Sequence, residues 1–350
     1  MLFRKNYEDL VSPFVQTKAL AHRDRLETIR KGEIPAPVTL EVDLADGFCN
    51  NKCPHCFFGT SIHQTPVFIR TEALLDTIRH LAAKGLKGVE LVGGGEPTTH
   101  PDFAEIVETI AALGIDLGLV TNGHLLKKYK DVLHHFNYIR ISLDAATPEV
   151  YRITHGVDMF DSLMMSVREI LDGGFYDSQK LGLGFLVMPN NHKDVEASAQ
   201  IAVDLNLRFA QYRPASIKNN FTPEEALTVE ARIHRLQEKY RKSDTQIFTV
   251  KNSWRHIIQK RFLNECKASC IMMVLQANGN IPLCILKRNQ KEYLLGNIYE
   301  QSIDEIWFSQ KHSDMINGIN SQECPIPCKV DSYNIMLRAI EEDCLNVNFL

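Results

Sequence analysis

Apolar residues recur along this chain with two periods, and the two periods take turns. Short runs rich in β-branched and aliphatic residues cover 38–44, 88–92, 116–120, 138–143, 181–187 and 208–212, and each reads as a strand. Between them, apolar positions three and four apart cover 71–84, 101–113, 125–134, 160–171 and 193–205. These read as helices, several bounded by Thr, Pro or Gly signals. Strand then helix, repeated, is the pattern of parallel βα units. Six such units predict an α/β fold, a partial (β/α)6 TIM-like barrel.

The flanking chain has a different texture. Residues 1–37 read as charged helix with Leu20, Leu26 and Ile29 as apolar positions, ended by Gly32 and Pro35-Ala-Pro37. A second charged helical stretch spans 221–242, and beyond it cysteines return among Asn-Gly and Pro turns, which places a boundary near residue 250. The expected organisation is an amino-terminal helical segment (1–37), a barrel (38–250) and a small carboxyl-terminal domain (251–350). No repeat of solenoid period is visible. With 350 residues and 44% hydrophobic content, the chain can bury a large core. A net charge of -4 offers no basic excess for nucleic acid or for an anionic membrane. No run approaches the roughly 20 apolar residues of a membrane span, and the first residues lack an apolar signal core. A cytoplasmic enzyme with no nucleic-acid or membrane partner is expected.

Candidate chemistry comes from the nine cysteines, eight of which fall into close groups. Without an export signal, such groups read as metal sites rather than disulfides. The first, Cys49-Asn-Asn-Lys-Cys53-Pro-His-Cys56, follows the first strand, at the end of a barrel where ligands gather. Thiolates suit zinc and iron-sulfur clusters alike. A closed zinc site needs a fourth ligand, and His55 is poorly placed beside Cys56; spacing alone leaves both metals open. After the second strand comes Gly93-Gly94-Gly95-Glu96-Pro97, a turn that exposes backbone groups and adds a carboxylate, so that it can receive an ammonium group.

Cys-x3-Cys-x2-Cys after the first strand, with Gly-Gly-Gly-Glu-Pro after the second, resembles the radical S-adenosylmethionine (SAM) superfamily over roughly 38–215. The resemblance implies that Cys49, Cys53 and Cys56 hold a [4Fe-4S] cluster whose open iron chelates SAM. It implies that Gly93, Gly94, Gly95 and Glu96 receive the SAM amino group. An electron from the cluster then cleaves SAM to methionine and a 5′-deoxyadenosyl radical, which abstracts hydrogen from the substrate. Further SAM contacts implied by the family are His55 near the adenine, Asn122 after the third strand, and Ser142 and Asp144 after the fourth. A related pattern carries arginine where His155 stands, and Arg152, one turn earlier, is the substitute expected to reach the SAM carboxylate. For Asn122 and Asp144, plain turn or capping duty stands beside ligand contact. Arg213, at the end of the sixth strand, faces the pocket mouth and suits an anionic substrate or SAM.

The second group has Cys266 and Cys270, an Asn278-Gly279 hairpin signal leading to Cys284, then Cys324 and Cys328. The turn predicts that Cys270 and Cys284 face one metal. This arrangement resembles the twitch or SPASM extension of radical SAM enzymes, which implies one auxiliary [4Fe-4S] cluster. Five cysteines compete for four places, with Cys266, Cys324 or Cys328 as the spare; a four-cysteine zinc site is the structural alternative. Cys344 reads as a packing cysteine.

Three functions compete. The first is oxidation of a small molecule, by analogy the dehydrogenation of an aminocyclitol or sugar-like alcohol, with flavodoxin or ferredoxin as electron donor. The second is a peptide maturase, epimerase or decarboxylase; the 37 residues before the first strand are too few for a leader-binding domain, which counts against it. The GTP cyclase of molybdopterin synthesis shares the single auxiliary cluster, yet this chain ends Asn-Phe-Leu rather than Gly-Gly. The third is a non-catalytic iron-sulfur or zinc module, which the glycine-rich turn disfavours.

Overall fold

The computed structural model describes residues 16–56, 58, 65–215, 221–249, 254, 264–288, 290–324, 328 and 330–341. Its strands are β1 (Thr39–Asp46), β2 (Val67–Phe68), β3 (Gly88–Gly94), β4 (Asp116–Thr121), β5 (Tyr138–Ser142), β6 (Leu181–Val187), β7 (Phe209–Pro214), β8 (Gln246–Thr249), β9 (Met272–Leu275), β10 (Asn280–Pro282) and β11 (Leu294–Asn297). The helices are α1 (Arg23–Arg30), α2 (Thr71–Ala83), α3 (Phe103–Ala112), α4 (Pro148–His155), α5 (Phe160–Asp172), α6 (Val195–Asp204), α7 (Pro223–Lys239), α8 (Ile303–Trp307), α9 (Gln310–Gly318) and α10 (Asp331–Glu341).

Strands β1 and β3 to β8 run parallel in chain order, as helical crossovers require. All six predicted strands are present. The seventh, β8, was not expected from the sequence, because Gln246–Thr249 is short and follows a charged stretch. Two further strands share the edge of β1 that faces away from β3. Strand β2 pairs antiparallel at Ala45 and Asp46, and β9 pairs parallel along Thr39 to Val42. The Asn278-Gly279 turn does form, with Gly279 at φ +84. Its two arms nevertheless go separate ways, β9 into the barrel sheet and β10 to β11.

Alternation along each strand divides the molecule. Leu40, Val42 and Leu44 of β1, Val89 and Leu91 of β3, and Ile139 and Ile141 of β5 lie in one core with Leu74 and Ile78 of α2 and Phe103, Ile106 and Ile110 of α3. The opposite face of the same strands carries Glu41, Asp43, Glu90, Tyr138 and Arg140, with Gln211 and Arg213 on β7. The barrel interior is therefore polar and charged. One predicted helix takes another form: Leu126–His135 is 3-10 helix with a kink at Tyr129. Leu126, Tyr129 and Val132 are buried at a spacing of three, which suits three residues per turn better than 3.6.

Candidate functional site

The first cysteine loop hangs from the carboxyl end of β1. Gly47, at φ +72, turns the chain out of the strand, and the Cys56 N–H donates to the Cys53 carbonyl at 3.2 Å to close the loop. The Asn51 N–H points at Cys49 Sγ (3.4 Å) and the Asn122 amide lies 3.8 Å from the same sulfur. Burial pushes the Cys49 thiol up to about 11 and Cys53 further, each thiol adding to its neighbours. Such sulfurs stay protonated until a cation shares their charge. All three remain partly accessible.

The glycine-rich turn is fitted against that loop. A Cβ on Gly95 would overlap the Phe48 carbonyl oxygen, and one on Gly93 would overlap the Gly95 carbonyl; only glycine permits this approach. The Glu96 N–H donates to Phe48 O at 3.0 Å. The Glu96 carboxylate is 3% exposed and is occupied by its own chain. It accepts from Thr98 N (3.2 Å), Thr98 Oγ1 (2.6 Å), Thr121 Oγ1 (2.6 Å) and Asn122 N (2.9 Å). Glu96 thus ties the end of β3 to the end of β4 and sets Asn122, whose amide donates to Asn50 and whose oxygen accepts from the His124 N–H (3.1 Å).

Past β5, Asp144 sits at φ +50, a conformation short polar side chains tolerate. Its Oδ1 accepts the Leu186 N–H at 2.6 Å, and its Oδ2 lies 3.4 Å from His55 Nε2 and 3.8 Å from His155 Nε2. Burial alone would raise the Asp144 carboxyl; the His55 hydrogen bond and the two imidazoles outweigh it and hold the group low. Ser142 ends β5 beside Gly184. Arg152 is exposed on α4, so the structure brings together His55, Asn122 and Asp144 but not Arg152.

His155, at the position where the related pattern carries arginine, turns inward instead. The ring is buried, Nε2 donating to Leu143 O (2.8 Å) and Nδ1 lying 3.2 Å from both Cys53 Sγ and Asn51 Nδ2. Asn51 Oδ1 reaches His124 Nε2 at 2.9 Å, and Tyr151 OH reaches the same nitrogen at 3.1 Å. Burial, then His155, takes His124 down to about 4, so it is neutral. Asn51, His124 and Tyr151 form a polar shell behind the cysteines that sequence reasoning missed. The available signal was Tyr151 and His155 four apart on one helix, both buried where α4 faces the loop.

The five cysteines of the second group share one neighbourhood. Cys266 feels Cys324, Cys270 and Cys284 feel Cys266, and Cys284 also feels Cys328. Burial pushes Cys284 up to about 12. Just past Cys284, Arg288 pairs with Asp43 of β1 inside the barrel and stacks over the Phe58 ring, 4.6 Å from its centroid. Burial outweighs this pairing and leaves Asp43 at about 6. Among the described residues, no three His, Cys, Asp or Glu side chains converge on a single ion, whereas a cubane spreads its thiolates over several irons. Cys344 lies outside the described residues.

Residues 47–202 match the radical SAM superfamily, and residues 266–330 match the SPASM iron-sulfur cluster-binding domain. The chain belongs to the radical SAM superfamily. The mycofactocin maturase MftC of Mycolicibacterium smegmatis is 24% identical over 87% of this chain and 77% of its own length. A probable GTP 3′,8-cyclase of Thermococcus kodakarensis is 24% identical over 77% of this chain and 92% of its own. Among solved structures, Streptococcus suis SuiB bound to S-adenosylmethionine superposes with a TM-score of 0.69 at 17% identity, covering 85% of this chain and 71% of SuiB. The anSMEcpe structure with bound AdoMet and a peptide gives 0.62 at 16% identity over 80% and 83%.

As a radical SAM enzyme with a SPASM domain, the protein takes SAM, a SAM-binding [4Fe-4S] cluster and an auxiliary [4Fe-4S] cluster as its cofactors. The partial parallel barrel is the fold it shares with those solved structures. No described helix is long and apolar enough to cross a membrane.

Proposed function

We propose that Cys49, Cys53 and Cys56 hold the SAM-binding cluster and that four of Cys266, Cys270, Cys284, Cys324 and Cys328 hold the auxiliary one. The enzyme then oxidises a small, polar, hydroxyl-bearing substrate, as in the dehydrogenation of a sugar-like or aminocyclitol alcohol. The observation that carries this reading is the lining of the barrel: Glu41, Glu90, Tyr138, Arg140, Gln211 and Arg213 face a shared interior directly below the cysteine loop. Such walls bind hydroxyl and charged groups rather than an apolar side chain. Reduced cluster and SAM supply a 5′-deoxyadenosyl radical for hydrogen abstraction. The chain's own contribution is placement. Gly93 to Gly95 present backbone groups beside the cysteine loop, Asn122 and Asp144 flank it, and the buried Arg288 to Asp43 pair joins the Cys284 segment to the strand that carries the loop. A cluster held by the second cysteine group would supply an acceptor for the electron released when the substrate radical is oxidised, and flavodoxin or ferredoxin would be the external reductant.

Anaerobically reconstituted protein should bind about eight irons, four per cubane, and release 5′-deoxyadenosine with dithionite and SAM. Zinc in place of iron refutes the ligand assignment. Cys53→Ala should abolish SAM cleavage, whereas Cys284→Ala should keep cleavage and lose substrate turnover. Full turnover by Cys284→Ala removes the auxiliary cluster from the reaction.

A second reading, modification of a peptide, is favoured by relatives: MftC is named a maturase, and SuiB has been solved with its precursor peptide SuiA. Deuterium transfer into 5′-deoxyadenosine from labelled polyols, set against labelled peptides, decides between them.

A further inference from the structure

An asparagine stands in α10 where the pattern calls for an apolar residue. Val330, Asn334 and Leu337 follow one another at spacings of four and three, the face that the helix turns to the core, and all three are buried, Asn334 at 5% exposure. A primary amide inside a core must find partners for both of its ends. Its oxygen finds two: the N–H groups of Lys267 (2.9 Å) and Ala268 (2.8 Å) donate to Asn334 Oδ1. That settles which way the amide faces, because a flipped amide would set its own N–H groups against those two donors. Nδ2 therefore points at Cys266 Sγ, 3.4 Å away.

A thiol that keeps its proton gains little from such a donor, whereas a thiolate gains a charge-assisted hydrogen bond. Cys266 is itself 7% exposed. Burial pushes its thiol up, and the hydrogen bonds from Asn334 and from the Ser269 N–H oppose that rise. Cys284 is met in the same way by the N–H groups of Leu286 and Lys287, and Cys49 of the first group by that of Asn51 at 3.4 Å. At Cys266 the donor includes a side chain from a distant helix, so it can be changed without altering the backbone that carries the cysteine.

We propose that Asn334 is a positioning residue for the auxiliary cluster: it holds Cys266 as one of that cluster's four ligands and, by donating to the ligand sulfur, raises the cluster's potential. Given the auxiliary cluster proposed above, on which this rests, Cys266 is then a ligand and not the spare thiol. An N–H donor at a cluster sulfur offsets the charge added on reduction and favours the reduced form. A cluster that takes up the electron released by a substrate radical needs that bias.

The reconstituted full-length protein, its asparagines labelled with nitrogen-15 in the side chain, tests this by EPR. The reduced signal that does not change when SAM is added belongs to the auxiliary cluster. In the wild type that signal should carry a nitrogen-15 coupling, and Asn334→Leu should lose it. In a redox titration of the same signal, Asn334→Leu should shift the oxidised-to-reduced ratio at a fixed applied potential about tenfold toward the oxidised form, about 59 mV for one electron. Iron content reports cluster retention; if the variant sheds the auxiliary cluster, falling from about eight irons to about four, the wild-type coupling decides. A wild-type signal without the coupling, or an intact auxiliary cluster in Asn334→Leu with an unmoved potential, overturns the proposal. A wild type with no SAM-insensitive signal refutes the auxiliary cluster itself and the role of Asn334 with it, and SAM cleavage by that preparation shows whether the first cluster stands.

Discussion

Replacing Arg288 by Met tests how the second cysteine region is held to the barrel. The two side chains of the Asp43 to Arg288 pair are each 3% exposed, so solvent does little to screen the pair. Burial raises Asp43 from 3.8 to about 6 even with the arginine beside it. That difference corresponds to about 3 kcal/mol of folding free energy at neutral pH. For an acid whose folded value lies above its unfolded one, the contribution is intact below the unfolded value and is lost as the pH rises through about 6. Without Arg288, burial and the neighbouring Asp46 and Glu41 act unopposed, so Asp43 moves higher and the loss continues to a higher pH. Arg288→Met should therefore differ little from wild type near the folded value. Above it, the variant should fall behind by about 1.4 kcal/mol per pH unit, toward a ceiling of about 3–5 kcal/mol. Anaerobic urea unfolding, followed through the buried Trp254 and Trp307, measures this at a series of pH values. A deficit that is constant with pH would refute the reasoning, because it would mean that the variant loses packing and not charge compensation.

Two further outcomes follow from geometry. Gly95→Ala should sharply lower iron retention, because its Cβ would overlap the Phe48 carbonyl; Gly114→Ala, which meets nothing within 4 Å but has φ +69, should cost only about 1–2 kcal/mol of strain and leave iron content unchanged. Equal iron in both variants would separate the glycine turn from the cluster site. Arg152→Ala should change SAM affinity by no more than about twofold, since exposed side chains rarely count for more. A tenfold loss by equilibrium dialysis would show that Arg152 turns inward when SAM binds.

Much of this was legible in the sequence. The barrel strands announce themselves because outward positions such as Leu40, Val42 and Leu44 must be apolar under the helices, and the crossovers dictate a parallel order. The interior was harder to see. Glu41, Glu90 and Arg140 break the apolar alternation as isolated charges, and nothing local says that they meet. The cysteine loop could be read because its ligands are contiguous; its supporting shell could not, since Asn51, His124 and His155 are joined only by the fold. Glu96 looked like a ligand from its place beside three glycines; two of its four internal donors are local to Thr98, and the other two, Thr121 Oγ1 and Asn122 N, reach it only because β3 and β4 are neighbours. The Asn278-Gly279 turn was correctly placed, but local turn chemistry carries no information about which strand each arm will join.

Strand β9 gives that last point a consequence for how the protein is made. Its partner on β1 lies near the other end of the chain, so the ribosome releases β1 long before Met272–Leu275 exists to cover it. Until then, the backbone groups of Thr39 to Val42 along that edge have no strand beside them, which makes the nascent barrel a template for pairing with another chain. A shortened gene that stops after the seventh parallel strand would leave this state permanent. The segment that brings the second set of cysteines thus also acts as the barrel's own late-arriving chaperone.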